Sequence, residues 1–386
     1  MEMWAHPISF ADDPVREAHR LAAAGISAVR LAFVYHSGRW LLTTSEPGTV
    51  VDLPSGAWFR PGQYPARGPV PRRSFAGPQE PAVRAAAALA AAGIETVAWL
   101  VGLHSTPLAT AHPNLAIRNV FGHRYRHALC PAQPAVRRYA AALAADVATH
   151  DVTGLDLEAF GYLGWPHQGA HDKSGPLRPA DRWLLSLCTC PACARCLTSA
   201  GVGVEELTGR ARTAIDAQLA DPAPAAADPS ADAVTALGAD LCDVVHAVRD
   251  RVVEELVRDV VAAARDLPVW LRATADRYAC AGKTAGDLPA LSTVAGHLVL
   301  TDLAGDLAAL RRDVTQARSL EPGRLAVGWS LLGQHTTDPA MLATLRAEYA
   351  GHRLAFYAYD LAPPSRLGWL TNASDERSGQ WSRSPG

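Results

Sequence analysis

Eight short segments rich in β-forming residues recur along this 386-residue chain, and most are reached through a helical stretch that ends in glycine. The opening MEMWAHPISF is followed by DPVREAHRLAAAG, an amphipathic helix with its stop at Gly25. ISAVRLAFVY (Ile26 to Tyr35) comes next, and a Pro/Gly-rich stretch from His36 to Gln79 follows it. The helix EPAVRAAAALAAAG leads into IETVAWLVGLH (Ile94 to His104), and AVRRYAAALAADVATH leads into VTGLDLEAF (Val152 to Phe160). Four more segments lie beyond a long intervening stretch: Asp266 to Asp276, Ala295 to Leu303, Arg324 to Leu332 and His352 to Leu361. Alternation of this kind builds a parallel sheet. Eight such units fit an α/β protein of the closed (β/α)8 TIM-barrel type. The other parallel architecture, an open doubly wound sheet, carries a Gly-rich phosphate turn after its first strand, and this chain has none.

A barrel of this length accounts for residues 1–386 as one domain, with an insertion at about 161–265 between the fourth and fifth strands. The insertion holds a cysteine cluster and the low-complexity run ADPAPAAADPSADA (Ala220 to Ala233), expected to be a mobile surface loop between helices. Hydrophobic residues at 49% and charged residues at 19% exclude a disordered chain. Lys+Arg 36 against Asp+Glu 38 leaves no basic excess for a nucleic acid or an anionic membrane. The N-terminus has no basic segment followed by an apolar one, and the run from Ala85 to Ile94 is too short to cross a bilayer. A soluble cytoplasmic protein is expected, with no nucleic-acid or membrane partner.

Active sites of such barrels lie at the C-terminal ends of the strands. Those ends supply His6, Tyr35, His36, His104, Asp156, Glu158, Arg272, Asp276, Asp302, Trp329, Gln334, Tyr357, Tyr359 and Asp360. The sharpest feature is Gly154-Leu155-Asp156-Leu157-Glu158. Residues two apart on a strand share a face, so Asp156 and Glu158 both point inward. Buried carboxylates are costly unless paired, and two like charges push one pKa upward. The pair therefore suits acid/base chemistry, and the structural alternative makes Asp156 an ion-pair partner of Arg272.

The stretch from His112 to Val147, the DVTGLDLEAFGY that follows, and RLAFYAYDLAP with Trp369 resemble the glycoside-hydrolase-like (β/α)8 barrels of bacteria. The resemblance covers nearly the whole chain and implies a pocket for a saccharide or sugar-like small molecule, worked by carboxylates without a catalytic cofactor. Chitinase-type barrels also end the fourth strand in Asp-x-Glu. By that likeness Glu158 is the proton donor to the glycosidic oxygen and Asp156 the neighbour that tunes it. Their further Asp, two residues earlier, is Gly154 here, and the seventh strand, GWSLLGQH, lacks the nucleophilic Glu of many retaining barrels. A second carboxylate must then come from Asp276, Asp302 or Asp360, with Asp302 first. Tyr35, His36, His104, Arg272, Asp276, Trp329, Tyr357, Tyr359 and Asp360 are the expected substrate contacts. Trp99, mid-strand, suits the core, whereas Trp165 suits sugar stacking. His167, His171 and Asp172 belong to a loop that could act as a lid.

Cys188, Cys190, Cys193 and Cys196 offer four thiols within nine residues. They read either as a structural zinc knuckle or as reduced thiols packing a helix. Cys130, Cys242 and Cys280 read as small buried hydrophobes. The first strand has no His-x-His, which argues against a metal-dependent hydrolase barrel. Three readings stay open: a glycosidase-like enzyme, a carbohydrate-binding pseudoenzyme, or a barrel recruited to non-hydrolytic biosynthetic chemistry.

Overall fold

Strand β1 (Glu2–Ala5) is hydrogen-bonded on both sides, to β2 (Ala28–Tyr35) and to β8 (Arg353–Tyr357), so the sheet closes on itself. Between them run β3 (Glu95–Val101), β4 (Gly154–Glu158), β5 (Val269–Thr274), β6 (Gly296–Asp302) and β7 (Leu325–Ser330), each parallel to its neighbours. This is the computed structural model, which describes residues 1–66, 68–165, 173–332 and 336–375. The expected closed barrel of eight strands is present. Each strand falls inside the apolar segment read from the sequence.

The helices that cover the barrel begin where the sequence marks them. Asp13 accepts the Arg16 N–H at the start of α1 (Pro14–Ala23), and Gly25 takes the positive φ of 72° that ends it. Helices α2 (Pro81–Ala91) and α3 (Pro134–Val147) start on prolines, whose missing N–H costs nothing in a first turn. The insertion supplies α4 (Pro179–Leu185), α5 (Pro191–Ser199), α6 (Val204–Ala220) and α7 (Pro229–Leu237). The long α8 (Ala239–Ala263) serves two cores. Its first turns place Cys242, Val245 and Val248 in a separate apolar cluster around Trp183, and its later Val252, Leu256 and Val260 join the barrel core. Helices α9 (Leu288–Ala295), α10 (Leu307–Gln316), α11 (Pro339–Glu348) and α12 (Pro364–Asp375) complete the shell.

The low-complexity run is shorter as a loop than expected. Residues 221–228 connect α6 to α7, and the rest is helical because Asp228 caps α7 by accepting the Ser230 N–H. Gln218 bonds both the N–H and the carbonyl of Ala223, which ties the connection down. Among the described residues no helix is long and apolar enough to cross a membrane.

The ladder registers place Glu2 and Trp4, Arg30, Trp99, Asp156 and Glu158, Trp270 and Arg272, Thr301, Gly328 and Tyr357 on the inner face. A bulge in β2 between Ala32 and Val34 shifts its alternation by one, which turns Tyr35 inward at the strand end. Gly328 is required on β7. A Cβ there would lie 2.6 Å from Trp4 and from Thr301, so the strand gives up side-chain volume to admit the indole.

Candidate active site

A ladder of alternating charge runs through the barrel from the N-terminal ends of its strands to the mouth at their C-terminal ends. At the bottom Arg353 donates to Glu2 at 2.9 Å, and Glu2 accepts from Arg30 at 2.7 Å. Arg30 lies 3.3 Å from Asp156, which also accepts from Arg272 at 3.1 and 3.0 Å and from the Trp4 indole at 2.8 Å. The top rung is Glu158, bonded by Arg272 at 2.6 Å and by the Trp99 indole at 2.8 Å. The Arg272 guanidinium is held between the Trp4 and Trp99 rings, 4.5 and 4.6 Å from their centroids. Three acids thus meet three arginines.

This pairing settles the state of Asp156. Complete burial by itself would raise its pKa, but Arg272 and then Arg30 outweigh that and hold it below the usual carboxylate value. The like-charge pressure expected between Asp156 and Glu158 is relieved because one guanidinium bridges them. Asp156 is the ion-pair partner of Arg272, shut away from solvent.

Glu158 differs in being open. Its side chain keeps 16% of its exposure and stands at the mouth of the barrel. The segment after β5 folds beside it, with the Gly282 carbonyl accepting the Ala159 N–H at 2.7 Å. A Cβ on Gly282 would come within 2.8 Å of Glu158 Oε1, so a larger residue here would displace the carboxylate. Around it stand Tyr35, 4.9 Å from Trp99 and 4.2 Å from His36, then His104, 5.0 Å from His36, and Tyr357, 6.3 Å from Trp99. The Tyr35 and Tyr357 hydroxyls are hydrogen-bonded, and burial pushes both phenols up, keeping them neutral. Of the predicted contacts, Tyr35, His36, His104, Arg272 and Tyr357 are brought together with Glu158.

His6 belongs to the same rim. Its ring packs against Tyr35, Trp40 and Trp58, and its Nδ1 accepts the Ile8 N–H. Burial holds this imidazole well below its ordinary pKa, so it is neutral with Nε2 as the protonated nitrogen.

Asp302 and Trp329 are not brought to this group. Thr301 and Gly328 take the inner face, so Asp302 and its register partner Trp329 face the helices. Asp302 accepts the N–H groups of Ala304 and Asp306, and Trp329 donates to Thr336. Asp276 is exposed, accepts the Tyr278 N–H, and with Asp302, Lys283 and Asp313 lines a cavity of about 720 Å³ that abuts α10. Tyr359 lies outside the barrel with its hydroxyl on buried Glu17.

Asp360 is a loop anchor. It accepts the N–H groups of Thr43, Thr44 and Ser45 on Oδ1 and the Ser45 hydroxyl on Oδ2, which commits both carboxylate oxygens to the loop. Replacing Asp360 with alanine should cost about 1.5–3 kcal/mol in chemical denaturation, since bonds to a charged acceptor are lost. A loss below about 0.5 kcal/mol, within the range of an ordinary surface change, would contradict the anchor.

Trp99 is buried as expected but also donates to Glu158. Trp165 is half-buried, 6.4 Å from Tyr125. Gln334, His167, His171 and Asp172 lie outside the described residues.

The thiols depart from the sequence reading in one respect. Cys188, Cys190 and Cys193 gather as expected, but their fourth neighbour is Cys130, and the four sulfurs lie within 4.8 Å of one another, a set able to hold a metal ion. Cys196 is half-buried on α5, outside this group, because the helix turns it toward apolar neighbours. Cys242 and Cys280 are buried in the insertion's cluster.

No protein-family model matches the sequence, and no curated protein matches it. Solved structures do. The catalytic domain of a β-amylase from Paenibacillus polymyxa is similar at a TM-score of 0.58 and 10% identity, over 97% of both chains. The fold is one that glycoside hydrolases use. A β-galactosidase from Rahnella sp. R3 gives a TM-score of 0.55 at 12% identity, covering 98% of this chain and 56% of its own. An α-L-fucosidase isoenzyme from Paenibacillus thiaminolyticus gives 0.53 at 13% identity, and this chain spans 49% of its length. At such identities the likeness concerns the barrel alone.

Sequence reasoning missed Glu2, Arg30, Arg353 and Trp4 in the ladder, and Gly282 beside the carboxylate. Arg30 carried a signal, as a lone charge inside an apolar strand segment. Gly282 carried none.

Proposed function

We propose that the barrel acts on a glycoside or sugar-like small molecule, with Glu158 as its general acid/base at the C-terminal face. The observation that carries this reading is the contrast within Asp156-Leu157-Glu158. The first carboxylate is sealed and spent on Arg272, while the second is presented at the mouth inside a collar of Tyr35, His36, His104 and Tyr357. Aromatic faces of this kind stack on sugar rings, and the surrounding polar tips suit hydroxyl groups. The glycoside-hydrolase barrels to which the chain is similar lend the reading support. Its chemistry calls on side chains only. As one chain, residues 1–386 would form a single catalytic domain carrying its insertion, and we place it in the cytoplasm.

A second reading rests on a separate observation. Glycosidases of the usual kind need two carboxylates about 5–9.5 Å apart. Among the described residues, Asp302 faces the helices, Asp276 the lateral cavity, and Asp360 its loop. A saccharide-binding barrel, or one performing non-hydrolytic proton transfer, needs only Glu158.

A panel of aryl α- and β-glycosides separates the two. Release of aryl alcohol by the wild type, with multiple turnovers, supports hydrolysis. Saturable binding of saccharides by calorimetry without any release supports the second reading. Neither binding nor release across the panel would sink the carbohydrate assignment.

A further inference from the structure

The Cys130 sulfur lies 3.4 Å from that of Cys193, 3.6 Å from Cys190 and 3.7 Å from Cys188. A disulfide needs about 2.05 Å, so no pair among them is bonded. A tetrahedral ion with metal–sulfur bonds of about 2.3 Å sets its four sulfurs about 3.8 Å apart. The three edges from Cys130 are close to that length, slightly contracted, and all four sulfurs lie within 4.8 Å of one another. Ordinary packing would not produce them, because buried thiols normally spread among apolar neighbours, as Cys242 and Cys280 do here.

Two further observations point the same way. Structural zinc sites draw their ligands from separated segments. Cys130 supplies the second segment that the Cys188–Cys196 run lacks by itself, since it stands between the strand Arg124–Leu129 and α3. Each insertion sulfur also has a donor of its own. The Arg118 N–H reaches Cys188 at 3.4 Å, the Gln133 amide reaches Cys190 at 3.5 Å, and the Tyr162 hydroxyl lies 3.4 Å from Cys193. Thiolates bound to a metal are stabilised by such outer donors.

We propose that Cys130, Cys188, Cys190 and Cys193 form a tetrahedral zinc–thiolate site that fastens the insertion to the barrel behind the Glu158 strand. Binding one Zn²⁺ displaces four thiol protons to solvent and forms four Zn–S bonds, with no change of oxidation state. Tyr162, four residues beyond Glu158, rests on Cys193 and under the Arg249 guanidinium, 4.4 Å from its ring. The ion therefore fixes the segment leaving β4. The proposal stands apart from the carbohydrate reading, and either can fail alone.

The test is metal content by mass spectrometry on the purified full chain, for wild type, Cys130→Ser and Cys196→Ser. One zinc per chain is expected in the wild type and in Cys196→Ser, and none in Cys130→Ser. Should Cys130→Ser fail to fold, the wild type stripped by chelator and titrated with cobalt(II) still answers. Tetrahedral thiolate coordination gives strong visible absorption at one equivalent, and zinc abolishes it. Stoichiometric iron, zinc retained in Cys130→Ser but lost in Cys196→Ser, or a wild type that takes up neither zinc nor cobalt would each overturn the site.

Discussion

Replacing Arg272 with methionine should destabilise the protein by about 3–5 kcal/mol, the range for breaking a buried ion pair from one side. Arg272 is almost wholly buried, donates twice to Asp156 and once to Glu158, and is sandwiched by two indoles. Methionine fills much of the volume but leaves Asp156 charged, dry and dependent on Arg30 at 3.3 Å. The double variant Asp156→Asn, Arg272→Met removes the stranded charge and should recover a large part of the loss, since residues in one network are not additive. Chemical denaturation of the three variants measures this directly. A single-variant cost below about 1 kcal/mol, the worth of an exposed pair, would mean that the ladder is not what holds the barrel interior.

The same variant should reverse a pH trend. In the wild type the folded pKa of Asp156 lies below its unfolded value, because Arg272 and Arg30 outweigh burial. The unfolded chain then binds the proton more readily. Its contribution to stability is complete above the ordinary carboxylate pKa of about 3.9 and is lost as pH falls through the lower folded value. Without Arg272, burial is opposed only by Arg30 and the Trp4 indole, and the folded pKa is expected to rise above the unfolded one. Stability of the variant should then improve as pH is lowered from 7 toward 5, where the wild type gains nothing from this group. Denaturation midpoints at the two pH values decide it.

The barrel was legible because its signals are local and repeated. Apolar β segments, prolines opening helices and glycines closing them all act within a few residues, and eight repetitions leave one closed arrangement. The inner face of β4 was legible too, since alternation is a property of one strand. What failed was what depends on neighbours. Asp302 and Trp329 lie at strand ends, but one strand's sequence does not reveal which parity β6 and β7 present to the axis. Thr301 and Gly328 take the inner face by the ladder register, and the missing side chain at Gly328 leaves room for Trp4 from another strand. Asp360 resembles a pocket acid in the sequence, yet both its oxygens are engaged by a loop more than three hundred residues earlier in the chain. Cys130 lay 58 residues from Cys188, so spacing alone favoured the nearer Cys196. Tyr35 reached the mouth only through a bulge that no alternation rule anticipates.

Glu158→Gln should lower turnover of any hydrolysed aryl glycoside by at least about 10²-fold, the usual worth of a positioned acid/base group. The substitution is nearly isosteric, and its carbonyl oxygen can still accept from Trp99 and Arg272, whose donors lie 2.8 and 2.6 Å from Oε2. Ground-state contacts to a sugar are therefore largely kept, and the loss should fall on kcat with little change in KM. Arg272 also keeps its partner Asp156, so the fold should survive, and a denaturation midpoint close to the wild type is part of the expected result. Substrates with better leaving groups need less protonation of the departing oxygen. The deficit should consequently shrink across a series of increasingly acidic phenols, which a misfolded or merely loosened site would not show. Equal rates in wild type and variant would remove Glu158 from the mechanism. A uniform deficit across the series, carried by KM, would make it a binding residue instead.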